Sequence, residues 1–114
     1  MQFKTQQVDD VLVLMIEGKL LSEQETSGIK DQMATGLGNN QKKFIFDLKG
    51  IEFVNSACLN FLVSSKSLVS SKGGQMVLCN MPEQLEKLLS VTKLESFFTT
   101  ASKTSDALDL LRAA

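Results

Sequence analysis

The sequence predicts a single small α/β domain, with a mixed, mostly parallel sheet of about five strands, an N-terminal antiparallel hairpin strand and four helices. Its 114 residues suffice for one hydrophobic core and not for two, so residues 1–114 are taken as one domain. Short apolar runs alternate with segments of helical period, and this alternation implies crossover connections and parallel strands. The first two apolar segments are separated only by Asp9 and Asp10, a turn signal that predicts a hairpin.

The N-terminal third supplies that hairpin and the first helix. Residues 3–8 alternate weakly, whereas residues 11–16 are apolar at every position, as expected for a strand covered on both faces. Gly18 is predicted to end this second strand. A capping-box pattern at Ser22 and apolar residues at helical spacing predict a helix from about residue 22 to residue 37, ended by the glycines and asparagines that follow.

The middle of the chain predicts a strand, a turn and a second helix. Residues 44–48 are the strand, and Gly50 is expected to open a turn. Residues 51–54, after the turn, contain a further apolar pair. A helix is then predicted to begin at Asn55-Ser56, and the two glycines Gly73-Gly74 are predicted to end it.

The C-terminal part predicts two further strands and two short helices. Residues 75–79 form a third buried strand, and Pro82 is expected at the first position of the next helix. Phe97-Phe98 is predicted to be a short strand, and Ser105 is predicted to cap the last helix.

Composition excludes several classes of function. Twelve basic and thirteen acidic residues give a net charge of −1, which argues against nucleic acid as the main ligand. The chain has no histidine, so it cannot form Ser-His or Cys-His catalytic pairs. Two cysteines cannot make a four-thiolate zinc site. We therefore expect neither an enzyme nor a protein that binds a metal or another cofactor.

The same composition indicates a cytoplasmic protein. The N-terminus is polar and lacks the apolar core of a signal peptide, and the longest apolar run, residues 11–16, is too short to cross a bilayer. Cys58 and Cys79 each lie among apolar neighbours, so two buried reduced thiols are favoured over a disulfide.

Three loops should meet at the carboxyl edge of the sheet, where ligands and partners of such folds gather: residues 18–22, 50–56 and 80–82. The most distinctive sequence there places Ser56 in the first turn of a helix. Ser56 and Asn55 could serve only as capping residues. Alternatively, a phosphate on Ser56 would be stabilised by free backbone N–H groups and by the helix dipole.

Three other features have both a structural and a functional interpretation. Cys58, in the first turn of a helix, could have a lowered thiol pKa and sense oxidants. Asp47 and Glu52 could be an acid–base pair, although such isolated carboxylates are more often structural. Phe61 and Leu68 either widen the core stripe of their helix or form an exposed apolar patch, and the first is favoured.

Residues 44–62, FIFDLKGIEFVNSACLNFL, resemble the signature of the STAS domain, the family of bacterial anti-sigma factor antagonists. That signature is an apolar strand ending in Asp-Leu or a similar pair, followed by a segment with a serine that opens a helix. Gly18-Lys19-Leu20 and Gly73-Gly74 resemble two further family motifs, and the apolar residues between 85 and 98 resemble its last helix and strand. The resemblance covers nearly the whole chain.

The resemblance implies a regulatory interaction domain without catalytic activity. Family members bind an anti-sigma factor that is also a serine kinase, and so free a sigma factor for RNA polymerase. The kinase phosphorylates a serine whose position matches Ser56, which releases the antagonist, and a phosphatase restores it. The implied partner-binding residues are Asn55, Ser56, Ala57 and Cys58, with Gly18, Lys19 and Leu20 alongside.

The chain departs from the family signature at three positions beside Ser56. Asn55 replaces an aspartate, Ala57 a second hydroxyl residue and Cys58 a glycine. The departures leave open a constitutive, unphosphorylated STAS subunit that docks on a transporter or a signalling assembly. A nucleotide-binding protein is disfavoured because no glycine-rich phosphate loop is present.

Overall fold

A computed structural model describes residues 2–19, 23–53 and 56–112. Within these ranges the chain forms five strands and four helices in the predicted order. In chain order they are β1 (Gln2–Val8), β2 (Val11–Lys19), α1 (Glu23–Gly38), β3 (Lys43–Phe53), α2 (Ser56–Ser71), β4 (Gln75–Cys79), α3 (Glu83–Val91), β5 (Thr99–Ala101) and α4 (Thr104–Arg112). Ser22, where the capping box was expected, lies outside the described residues.

The strands form one sheet in the order β1-β2-β3-β4-β5. β1 is antiparallel to β2, and every other neighbouring pair is parallel. The turn at Asp9-Asp10 joins the antiparallel pair, with Asp9 in the left-handed region at φ 53°. The predicted mixed α/β fold, its hairpin and its element order are therefore confirmed.

Alternate residues of the strands point to two hydrophobic clusters, which define two faces of the sheet. On the three-helix face, Leu14, Phe44 and Phe46 pack with buried residues of α1, α2 and α3. On the one-helix face, Val13 and Ile45 pack with Ala107 and Leu111 of α4. The central strands are covered on both sides, as the uniformly apolar sequence of β2 predicted.

The predicted strand end at Gly18 and turn at Gly50 are both wrong. β2 continues to Lys19, and β3 runs without interruption to Phe53, with a register shift where Glu17 pairs with Gly50. A Cβ atom on Gly50 would lie 2.6 Å from Cγ and 3.1 Å from Cα of Glu17. Glycine is therefore needed there for the close approach of two strands at an irregularity, not for a turn.

The predicted Phe97-Phe98 strand is also wrong, because β5 begins at Thr99. The two rings make an edge-to-face contact at a centroid distance of 5.0 Å, and Phe98 is buried in the three-helix core. The aromatic pair lies in a turn ahead of the strand, and the next three residues, Thr99–Ala101, pair with β4.

Two helix starts differ from the prediction, that of α3 by one residue and that of α4 by two. Pro82 is the N-cap of α3 rather than its first helical residue, because its ψ of 150° is extended and its carbonyl accepts bonds from the N–H groups of Leu85 and Glu86. Ser105 lies inside the first turn of α4, since Ala107 N–H already bonds the carbonyl of Lys103 at 3.1 Å.

Several side-chain predictions are confirmed. Phe61 is buried and Leu68 is half-buried against the same core, so both widen the stripe of α2. Cys58 and Cys79 are buried thiols and form no disulfide. Among the helices described, none combines the length and the apolar character needed to cross a bilayer.

Candidate functional site

The carboxyl edge of the sheet is stepped. β4 ends at Cys79, opposite Asp47, whereas β3 continues to Phe53 beside the end of β2. We call the projecting pair, residues 17–19 and 50–53, the β2–β3 arm. In the arm, Gly18 pairs with Ile51 and Lys19 pairs with Phe53. The helix α2 begins three residues after the arm ends, at Ser56.

Ser56 is the first residue of α2, and its side chain is exposed. The first turn of α2 contains no acidic residue. The aligned peptide groups of the helix give it a dipole, which places partial positive charge at this end. The Ser56 hydroxyl is therefore accessible, and its surroundings favour a negatively charged group attached to it.

The next two residues turn progressively inward. Ala57 is half-buried, and Cys58 is fully buried in the three-helix core. Burial raises the pKa of the Cys58 thiol from 9.0 to about 11. An oxidant sensor needs a lowered thiol pKa, so the direction of this shift contradicts the redox interpretation of Cys58.

The arm brings together two of the sequence segments assigned to the partner surface. The backbones of Gly18 and Lys19 lie in register with the stretch of β3 that leads to Ser56. Gly18 has a φ of 90°, a left-handed conformation that favours glycine. Leu20 and Asn55, the other two ends of these segments, lie outside the described residues.

An open cleft of about 760 Å³ lies on the lower step of the edge, over the ends of β4 and β5. At its floor Asn80, with φ 53°, donates a hydrogen bond from Nδ2 to Oδ1 of Asp47 at 3.1 Å. The same amide lies 3.5 Å from Oγ1 of Thr104, at the start of α4. Sequence reasoning missed this junction, although an asparagine directly after a buried strand is a typical left-handed position.

Asp47 has a structural role in this junction. Its Oδ1 atom also accepts a bond from the backbone N–H of Lys49 at 3.1 Å, so it holds the start of the arm as well as Asn80. Glu52, the carboxylate proposed as its acid–base partner, is exposed on the arm. The geometry therefore favours the structural interpretation of this pair. In the described ranges, no three His, Cys, Asp or Glu residues could together hold a metal ion.

A five-stranded mixed sheet of this order with four helices, the second of which starts at an exposed serine beyond a projecting strand pair, is the architecture of the STAS fold. The family model of the STAS domain matches residues 2–107, and the chain belongs to this family. The family assignment made from residues 44–62 is thus confirmed.

Named relatives agree with this membership. A Thermotoga maritima protein assigned as an anti-sigma factor antagonist is 29% identical over 105 residues, which cover 92% of this chain and 93% of the relative. A crystal structure of an assigned anti-sigma factor antagonist from the same organism has a TM-score of 0.83 at 28% identity and covers 96% of this chain and 94% of the other.

The fold is shared more widely. SpoIIAA, an anti-sigma factor antagonist, matches in its unphosphorylated form with a TM-score of 0.78 at 16% identity, over 99% of this chain and all of the other. Its phosphorylated form from Bacillus matches with a TM-score of 0.75 at 16% identity, over 96% and 99% of the two chains. At this identity the likeness establishes the common fold.

Proposed function

We propose that this protein is an anti-sigma factor antagonist that binds an anti-sigma factor with serine kinase activity and is released when that kinase phosphorylates Ser56. A phosphatase that removes the phosphate would return it to the binding form. The proposed partner surface consists of the first turn of α2 with Asn55 before it, and of Gly18, Lys19 and Leu20 at the end of β2.

The observation that carries the proposal is the position of Ser56. It is an exposed hydroxyl at the first residue of a helix of sixteen residues, in a chain of the STAS family. Because Ala57 and Cys58 follow it, Ser56 is the only hydroxyl in residues 54–58. A kinase that docks on this turn would meet a single acceptor.

The chemistry of the switch is ordinary phosphoryl transfer. The Ser56 oxygen attacks the γ-phosphorus of ATP, ADP leaves, and the hydroxyl proton passes to a base of the kinase. The product carries about two additional negative charges, which would change the net charge of the chain from −1 to about −3. The helix N-terminus stabilises that phosphate on this protein, while the added charge and volume oppose the partner's return to the same surface.

The departures from the family signature act mainly through packing and charge. Asn55 removes one negative charge beside the hydroxyl, which eases the approach of an anionic phosphate donor. Cys58 is fully buried and lies in the three-helix core, so it supports the turn from beneath instead of offering a side chain to a partner. We expect the partner to contact the exposed Ser56 hydroxyl and the backbone of the first turn of α2.

The test is phosphorylation by a cognate anti-sigma factor that has serine kinase activity. The full chain is incubated with that kinase and ATP, and the products are digested and sequenced by mass spectrometry. We expect one phosphate, on Ser56. In a binding assay without ATP, Ser56→Ala should keep the affinity of the unmodified chain, whereas Ser56→Asp should weaken it at least about tenfold.

Ser67→Asp is the matched control, because Ser67 is exposed on the same helix and the substitution adds the same charge away from the first turn. It should bind as the unmodified chain does. If Ser56 acquires no phosphate and Ser56→Asp binds as tightly as the unmodified chain, the switch is wrong. Binding that persists in that case would mean that the interaction is constitutive; retrieval of a transporter or signalling assembly by the full chain would then support the alternative motivated by Asn55, Ala57 and Cys58.

A further inference from the structure

The two edges of the sheet differ in how well they are protected against pairing with another strand. β5, at one edge, has three residues, and such short edge strands offer little to a partner. β1, at the other edge, has seven residues, and among the described strands only β2 lies beside it. The peptide groups on its outer side are therefore available for a further strand.

β1 also lacks most of the features that protect edge strands. Its pairing with β2 is continuous from Gln2–Glu17 to Val8–Val11, with no bulge, and the strand contains no proline. Residues 4–7 are all exposed, and the only charge among the seven residues is on Lys4. A strand that is long, regular and nearly uncharged is a template for strand addition.

We propose that the outer edge of β1 pairs with β1 of a second copy of this chain, in antiparallel orientation about a two-fold axis at Thr5. This register uses all seven residues of each strand and joins the two five-stranded sheets into one of ten strands. Gln2 then pairs with Val8, Phe3 with Gln7, and Thr5 with its own copy. A two-fold axis makes the contact closed and self-limiting.

Side-chain chemistry favours β1 of a second copy as the pairing partner, and it favours this antiparallel register. Lys4 lies opposite Gln6 of the other copy, whose amide oxygen can accept a bond from the ammonium group, and the symmetry makes this pair twice. The two Thr5 residues form a cross-strand pair of a type that stabilises sheets. A parallel alignment in register would instead place Lys4 against Lys4.

The faces of the two sheets also match. Lys4 and Gln6 oppose Met15 and Val13 in β2, so both lie on the one-helix face, whereas Thr5 opposes Leu14 on the three-helix face. Antiparallel pairing of residues with the same parity keeps each face continuous across the new contact. The carboxyl edge that carries Ser56 takes no part in the contact, so the pairing is independent of the proposed phosphorylation.

The test is the mass of the full chain in solution, measured by light scattering and sedimentation over a wide range of concentration. We expect a concentration-dependent dimer. Gln6→Lys places a second ammonium group opposite Lys4 in both symmetry-related pairs and should raise the dimer dissociation constant about tenfold. The double variant Lys4→Glu with Gln6→Lys restores opposite charges and should recover the dimer.

Thr100→Lys is the matched control, because it adds a lysine to the exposed short edge strand β5 and should leave the dimer unchanged. Circular dichroism checks that each variant keeps its fold. A chain that remains a monomer up to millimolar concentration overturns the proposal. So does a dimer that Gln6→Lys leaves intact, or one that the charge-swapped double variant fails to recover.

Discussion

The three-helix face and the one-helix face are built from alternate residues of the same strands, yet they are covered very differently. Phe46 and Ile45 are neighbours in β3 and both are fully buried, one on each face. The face that contains Phe46 is covered by helices of sixteen, sixteen and nine residues, whereas the face that contains Ile45 is covered by the nine residues of α4. The two side chains are therefore equally buried, although the helices that cover them differ in number and length.

The difference bears on the candidate site because α2, which begins with Ser56, packs on the three-helix face. A recognition surface needs its supporting elements held in place, and the more heavily covered face provides that. The one-helix face depends on a single helix of nine residues, and an element with few packing partners is the type that opens locally at low free energy. The two faces should accordingly respond differently to the same substitution.

The largest effect is expected from Phe46→Ala, on the three-helix face. The ring of Phe46 stacks on that of Phe61 in α2, with centroids 5.8 Å apart, and its removal leaves a cavity between the sheet and the helix. The free energy of unfolding, measured by denaturation with urea, should fall by about 3–5 kcal/mol. Phe97→Ala, at a ring that is 40% exposed, should cost much less. Equal losses would contradict the assignment of Phe46 to the centre of the core.

A matched pair of leucines compares the two faces directly. Leu62 in α2 and Leu111 in α4 are both buried, and truncation of a buried leucine to alanine costs about 2–5 kcal/mol. We expect Leu62→Ala near the upper end and Leu111→Ala near the lower end, because a single short helix can shift to fill the cavity more easily than three packed helices can. Urea denaturation of both variants gives the two values. If Leu111→Ala lowers the free energy of unfolding as much as Leu62→Ala does, the two faces tolerate a cavity equally well, and the predicted difference is wrong.

Sequence reasoning predicted the parts of this fold that depend on local pattern. The hairpin follows from two aspartates between apolar runs, and α2 follows from Asn55-Ser56 ahead of apolar residues at helical spacing. Each signal is contained within a few neighbouring residues, so no knowledge of the rest of the chain is needed. The start of α2, and with it the exposure of Ser56, belongs to this predictable part.

Tertiary contacts decided the parts that were mispredicted. Gly50 has the local signature of a turn, and only its pairing with Glu17 in a distant strand shows why glycine is required within β3. The three residues of β5 have no apolar alternation of their own, so pairing with β4 alone selects them. The link from Asp47 to Asn80 spans 33 residues and left no sequence motif.

The two thiols provide a second comparison of the faces, since Cys58 lies on the three-helix face and Cys79 on the one-helix face. Burial raises the pKa of both thiols, and for Cys79 the nearby Asp47 carboxylate also raises it, against a lowering contribution from its contact with Thr104. Variants that keep one thiol, Cys58→Ala and Cys79→Ala, isolate each site. Under native conditions we expect iodoacetamide to alkylate Cys79 faster, because one nine-residue helix covers its face of the sheet, whereas three helices cover the face that contains Cys58. Faster alkylation of Cys58 would mean that the three-helix face opens more readily than the one-helix face, and it would contradict this prediction.

The raised pKa of Cys58 also predicts a loss of stability in alkali. Its thiol titrates at about 11 in the folded chain and at 9.0 when unperturbed, so the unfolded state releases the proton first. The contribution of this thiol is complete below pH 9 and is lost as the pH rises from about 9 to 11. Urea denaturation across this range should show the decline, and Cys58→Ala should reduce its slope. An unchanged slope would assign the decline to other groups.

The smallest effect is expected from Ser65→Ala, which tests how tightly the three-helix face is packed. Ser65 in α2 is fully buried, and within the described residues its Oγ atom has no hydrogen-bond partner. A buried hydroxyl without a partner costs free energy, so its removal should leave stability unchanged or raise it by up to about 1 kcal/mol. Ser64→Ala is the control, since the exposed Ser64 hydroxyl donates to the carbonyl of Asn60 at 2.8 Å and its loss should matter little. If Ser65→Ala instead destabilises the chain, the hydroxyl is bonded within the core, and the better-covered face then owes part of its support to a polar contact as well as to packing.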